Sequence, residues 1–150
     1  MRVAIASDHG GFSLKGPIIK AIQCLGHEAI DLGAFNEDKT DFPDYAQKAG
    51  KAILSGEADR AVVICGSGVG ACIAANKIKG IYACVCHDTY SAHQGVEHDN
   101  MNVLCLGARI IGVELAAEIV KNFLSATFLN SGNYLRRFKK IQDIENQSSM

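Results

Sequence analysis

The residues best placed for proton chemistry lie in Cys65-Gly66-Ser67-Gly68-Val69-Gly70, where a thiol is followed at once by a glycine-rich turn. A thiol between an apolar run and a helical one faces unpaired N–H groups and the positive end of a helix dipole, which favour its thiolate. Such a sulfur serves as a base or as a nucleophile. Glycines let backbone N–H groups converge on one anion, so Gly66, Gly68, Val69 and Gly70 are candidate binding positions. A second polar cluster, Ser7-Asp8-His9-Gly10-Gly11, also separates an apolar run from a helical one. Asp8 there either caps the turn or belongs to a ligand-binding edge. A third cluster, Glu97-His98-Asp99-Asn100-Met101-Asn102, precedes the run Val103 to Leu106, which ends in Gly107-Ala108-Arg109. His98 suits proton exchange near neutral pH, or ends a helix against backbone.

The elements that must position these groups are legible in the hydrophobic pattern. Val3 to Ala6, Ala29 to Leu32, Ala61 to Cys65, Ile81 to Cys86 and Val103 to Leu106 are apolar almost throughout, as strands covered on both faces are. Between them Phe12 to Leu25, Tyr45 to Leu54, Ala71 to Lys79, Ser91 to Glu97 and Val113 to Leu124 have helical length. This alternation predicts a doubly wound α/β three-layer sandwich, Rossmann-like, with a five-stranded parallel sheet in a flavodoxin-like order. The first two polar clusters then share the carboxyl edge of the sheet, where this architecture binds ligands. The stretch Gly33 to Pro43 reads as a loop at one sheet end.

One domain over 1–150 is expected, with a core to about residue 130 and a basic helix over about 133–146. That helix, Tyr134 to Glu145, carries Arg136, Arg137, Lys139 and Lys140. It has little to bury on its own and is expected to pack on a partner subunit, offering Arg137 to an anion, with Lys139 and Lys140 as a solvated face. A polar tail follows from Asn146 to Met150.

A net charge of -1 leaves no electrostatic footprint for nucleic acid or an anionic membrane, so the partner is a small molecule. Met1-Arg2-Val3-Ala4-Ile5 enters a strand without the regions of a secretory signal, and no apolar run approaches about 18 residues. A cytoplasmic protein is expected, its six cysteines reduced. Cys24, Cys72, Cys84, Cys86 and Cys105 read as small buried hydrophobes, and His27, His87 and His93 as ordinary histidines. Neither metal-finger spacing nor a histidine–carboxylate metal motif occurs, so no metal and no cofactor are expected.

Two rival readings of the same turn stay open. Gly66, Gly68 and Ala71 satisfy a G-x-G-x-x-A nucleotide pattern, with Asp88 near the position of a ribose-binding acid, although the turn follows the third strand and not the first. Cys65, His98 and the turn amides also imitate a nucleophilic hydrolase.

The segments Ser7 to Lys15, Asp41-Phe42-Pro43, Cys65 to Gly70, Ala74-Ala75-Asn76-Lys77 and Asn102 to Arg109, in this order, resemble the type B ribose-5-phosphate isomerases and their allose- and galactose-phosphate relatives. The match spans about residues 1 to 125. The resemblance implies an aldose–ketose isomerase of a phosphorylated sugar, in which Cys65 shuttles a proton while Ser67 and the turn amides steady an enediolate. It further implies Asp8 and His98 at the sugar oxygens and in ring opening, His9, Arg109 and Arg137 near phosphate, and a homodimer or homotetramer with sites at the subunit interface. Ribose 5-phosphate is the first substrate implied; allose 6-phosphate and galactose 6-phosphate are the alternatives. This chain departs from the family pattern at three places. Asp99 stands where the family often has Asn, bearing on oxyanion contacts; Asn133-Tyr134 replaces Arg-His, leaving Arg136 or Arg137 to meet phosphate; and Phe42 stands where Tyr is frequent.

Overall fold

The computed structural model describes residues 1–147. Five strands, β1 (Arg2–Ser7), β2 (Glu28–Asp31), β3 (Arg60–Cys65), β4 (Ala83–Val85) and β5 (Val103–Gly107), form one parallel sheet. Six helices accompany it: α1 (Phe12–Cys24), α2 (Phe42–Leu54), α3 (Val69–Ala75), α4 (Thr89–Asp99), α5 (Val113–Ser125) and α6 (Gly132–Gln147). Because side chains alternate along a strand, Ile5, Val62, Ile64, Leu104 and Leu106 meet Ile18 and Ile22 of α1, Val96 of α4, and Ile119 and Phe123 of α5. Ala4, Ala61, Val63 and Cys105 meet the alanines of α2 and α3 on the other face. Both faces are dry, which is why the strands read as unbroken apolar runs. Truncating Phe123, fully buried, is expected to cost about 3–5 kcal/mol.

The doubly wound sheet is as expected, but its order is β2-β1-β3-β5-β4, whereas a flavodoxin-like order would place β4 beside β3 and β5 at the edge. Burial explains the exchange. Every residue of β5 is buried, while β4 has three residues and an exposed Cys84, so β4 takes the edge. One asparagine finishes that edge in place of a neighbouring strand, and a second ties the start of β4 to β5. The Asn76 amide pairs with both backbone groups of Ala83 at 2.8 Å, and Asn102 accepts from the Tyr82 N–H at 2.8 Å while donating to the Gly80 carbonyl at 2.9 Å. This pairing accompanies an end to α3 at Ala75, short of the expected Lys79.

The basic terminal helix buries more on its own chain than expected. Phe138 is buried against the rings of Tyr82 and Phe128, at 4.9 and 5.3 Å, and Glu145 accepts from the Gly80 N–H and the Tyr82 hydroxyl. Arg136, Arg137, Lys139 and Lys140 are exposed. Of the expected polar tail, Asn146 and Gln147 are helical, and residues 148–150 lie outside the described residues.

Candidate active site

From β1 the chain goes on to β2 on one side and from β3 to β4 and β5 on the other, so the connections leaving the carboxyl ends of β1 and β3 part and leave a crevice between them. A cavity of about 380 Å³ opens there, lined by Asp8, His9 and Gly10 from the β1 end and by Cys65, Gly66, Ser67 and Gly70 from the β3 end. Phe42, Arg109 and Ile110 complete its walls.

Main chain fixes most of these groups. Cys65 is buried, and the Gly68 N–H donates to its Sγ at 3.1 Å, which suits a sulfur carrying negative charge. Gly68 has φ of 81°, a conformation that favours glycine, and it is the N-cap of α3. The Val69 N–H is taken by Ser67 Oγ at 3.3 Å, while Gly70 and Ala71 precede the first helical bond, from Cys72 N–H to the Gly68 carbonyl. Asp8 is buried and accepts from the Gly11 N–H at 3.0 Å, so it caps its turn while facing the cavity. Gly11 must be glycine for another reason: a Cβ there would lie 2.2 Å from the Ile64 carbonyl oxygen.

Sequence reasoning passed over two residues that hold the loop after β2, one of them beside this cavity. Thr40 holds His9 at two points: its Oγ1 accepts the His9 N–H at 3.1 Å, and its backbone meets Nδ1, which accepts from the Thr40 N–H at 3.2 Å in one tautomer or donates to the Thr40 carbonyl at 3.1 Å in the other, leaving Nε2 for a ligand. Lys15, buried, bonds Asp31 at 2.7 Å and the Ala34 carbonyl, tying the loop after β2 to α1. Thr40 lies in the loop read over Gly33 to Pro43, whose contacts have no period, and Lys15 is a charged residue on the buried side of α1, where the apolar pattern gives no reason to expect it. Phe42 lies so close to Gly70 that a Cβ there would be 2.7 Å from its ring, and the Arg109 guanidinium lies along Gly66, 3.1 Å from where a Cβ would be.

His98, Asp99 and Arg137 do not line this cavity. His98 ends α4, where Gln94 bonds its Nδ1 at 2.8 Å and Tyr134 of α6 stacks on its ring at 4.5 Å. The Gln94 spacing, one helical turn before His98, is a signal a sequence reading can use. Asp99 is exposed and lines a separate cavity with Cys84 and Tyr82. Asp88, the candidate ribose acid, is instead the N-cap of α4, accepting from the Ser91 N–H at 2.6 Å, which holds its carboxyl below the usual range.

The other cysteines divide. Cys86 and Cys105 are buried as expected, but Cys24 and Cys84 are exposed, at a helix end and on the edge strand, and Cys72 is half-buried. Hydrogen bonding to Cys105 lowers the Cys72 thiol to about 7, and hydrogen bonding to Cys86 lowers Cys84 to about 7. Among the described residues no group of three or more His, Cys, Asp or Glu is arranged to hold a metal ion, and no helix is long and apolar enough to cross a membrane.

Comparison with known proteins decides what this cavity belongs to. The family described as Ribose/Galactose Isomerase matches residues 3–141. The chain belongs to that family. Its members include ribose-5-phosphate isomerase B of Escherichia coli, 42% identical over 96% of both chains, and galactose-6-phosphate isomerase subunit LacB of Clostridium acetobutylicum, 37% identical over 85% of this chain and 74% of the relative. The solved structure of Clostridium thermocellum ribose-5-phosphate isomerase B superposes with a TM-score of 0.95 at 43% identity, covering 99% of both chains. Membership in the ribose/galactose isomerase family makes this chain an isomerase of phosphorylated sugars, in place of the nucleotide-binding and hydrolase readings.

Proposed function

We propose that this chain interconverts ribose 5-phosphate and ribulose 5-phosphate, as a single catalytic domain over 1–150 in the cytoplasm. The observation that carries the reading is the Cys65 thiol, buried at the cavity with the Gly68 N–H on its sulfur. Asp8 and His98 assist ring opening of the sugar. The Cys65 thiolate then removes the proton on C2, the C2–H electrons form the C1–C2 double bond, and the C1 carbonyl oxygen becomes an enediolate oxygen. Ser67 and the amides of Gly66 to Gly70 steady that oxygen; such donors commonly contribute about 2.7–4 kcal/mol each. The proton of the C2 hydroxyl passes to the C1 oxygen, the C2–O electrons form the new carbonyl, and the C1–C2 double-bond pair takes the proton back from the thiol onto C1, leaving the ketose and a restored thiolate. No bond to water forms and no electron leaves the substrate.

His9 and Arg109, both on the cavity wall, take the phosphate. Because His98 and Arg137 lie outside the Cys65 cavity, the reading includes a second copy of the chain that brings its α4 and α6 surface to the cavity. Asp99 and Arg137 of that surface then meet substrate oxygens and phosphate. A homodimer satisfies this; a tetramer is two such pairs.

The test is a coupled assay with ribose 5-phosphate in the presence of a chelator, beside Cys65→Ala. Turnover that survives chelation and falls by about 10³-fold without the thiol supports the reading. Folded Cys65→Ala with full activity would sink it. The galactose-phosphate relative favours one second reading, in which galactose 6-phosphate or allose 6-phosphate gives the higher kcat/KM in the same assay.

A further inference from the structure

His87 stands outside the cavity, yet it makes a bond that the sheet itself does not supply. In parallel pairing alternate N–H groups of a strand point to the same neighbour. Along β5 the Val103 N–H donates to the Tyr82 carbonyl, and the Cys86 N–H donates back to the Cys105 carbonyl at 3.4 Å. The Gly107 N–H is next on that side, but β4 has ended and the chain has turned toward Asp88, the N-cap of α4. Its acceptor is the imidazole: Gly107 N–H donates to His87 Nε2 at 3.0 Å. That bond makes Nε2 the acceptor nitrogen, so the proton of the neutral ring sits on Nδ1.

Gly107 is the hinge between β5 and two parts of the active site. On its other side the Ala108 N–H donates to the Cys65 carbonyl at 2.9 Å and the Arg109 N–H to the Gly66 carbonyl at 3.0 Å. The contact with the catalytic turn is so close that a Cβ on Gly107 would lie 2.6 Å from the Ser67 carbonyl oxygen, and one on Gly68 3.0 Å from the Leu106 carbonyl carbon. The segment 107–109 is thus held between His87 on the β4 side and the Cys65–Gly66 carbonyls on the β3 side. We infer that His87 is a positioning residue, a neutral imidazole that replaces the missing β4 carbonyl and so sets Arg109 for the phosphate and the Cys65 turn for the proton. This role rests on the isomerase reading for its kinetics, though not for its geometry.

Two variants separate the acceptor from the bulk of the ring. His87→Leu fills the space without an acceptor; His87→Gln restores one, its Oε1 standing close to where Nε2 was. Each is tested for kcat and KM with ribose 5-phosphate, for inhibition by inorganic phosphate, and for the rate of iodoacetamide labelling at Cys65 resolved by peptide mapping. With a buried N–H left unpaired, His87→Leu is expected to lower kcat/KM by about 10- to 100-fold, to raise KM and the phosphate inhibition constant together, and to change the labelling rate. His87→Gln is expected to return these to within about threefold of wild type. A merely structural role would lower the active fraction, and with it kcat, at unchanged KM. That result, equal loss in both variants, or a wild-type His87→Leu overturns the inference. If the wild type turns over none of the sugar phosphates, the isomerase reading fails by itself, while Cys65 labelling in the two variants still decides the role of His87.

Discussion

The Cys65 cavity and the α4–α6 surface are built on different principles. In the cavity, reactive groups are fixed by main chain: Cys65 by the Gly68 N–H, Asp8 by the Gly11 N–H, His9 by the backbone and hydroxyl of Thr40. On the α4–α6 surface, side chains hold side chains: His98 lies between the Gln94 amide and the Tyr134 ring, and Arg137 is exposed. Main-chain support comes with the sheet and sets geometry before any ligand arrives. Side-chain support on helix ends leaves groups that can settle against an incoming surface, as a half-site brought by another copy would require.

That contrast orders the expected effects. Largest is removal of a proton-transfer group from the cavity: Cys65→Ala is expected to lose about 10³-fold in kcat while circular dichroism stays unchanged. Next comes the helix-borne acid or base, where His98→Ala should lose about 10²-fold in kcat; an equal loss in Gln94→Leu would show that holding the ring matters as much as having it. Smaller still, Gly66→Ala pushes a methyl toward the Arg109 guanidinium and should raise KM by about tenfold with little change in kcat. At the bottom, Lys139→Ala with Lys140→Ala, two exposed positions of α6, should change kcat/KM by less than about twofold. A large effect there would blur the division between the two regions, since those lysines would then share in the phosphate site with Arg137.

Thiol chemistry sharpens the same comparison. Thiol hydrogen bonds lower Cys72 and Cys84 to about 7, so their iodoacetamide labelling is expected to rise steeply from pH 6 to about pH 8, while buried Cys86 and Cys105 are expected to stay unlabelled. Inactivation that tracks only the Cys65 peptide would assign the essential thiol.

How much of this was legible follows from what carries each feature. The strands were readable because dry faces demand unbroken apolar runs, and the cavity because its motifs sit at the carboxyl ends of two of those runs. The order of the last two strands was not readable from runs alone: Ile81 to Cys86 looks as apolar as Val103 to Leu106, and only the exposure of Cys84 beside the full burial of β5 tells edge from centre. Thr40 escaped because loop contacts have no period, and Lys15 because a charged residue in a helix reads as a solvated one, whereas here it is buried on Asp31 and the Ala34 carbonyl. The terminal helix was read as too basic to dock on its own chain, since its composition hides that Phe138 and Glu145 face Tyr82 together. Three cysteines were read as buried because an apolar neighbourhood in sequence does not say which face of a helix or edge strand a residue takes.

The most direct test of a site shared between two copies of this chain is complementation. Purified Cys65→Ala and His98→Ala variants, each nearly inactive alone, are unfolded together, refolded as a mixture and assayed. If the cavity of one copy uses His98 of another, a mixed dimer holds one intact site, and activity should recover to about a quarter of wild type. A mixture that stays as inactive as its components would contradict the account.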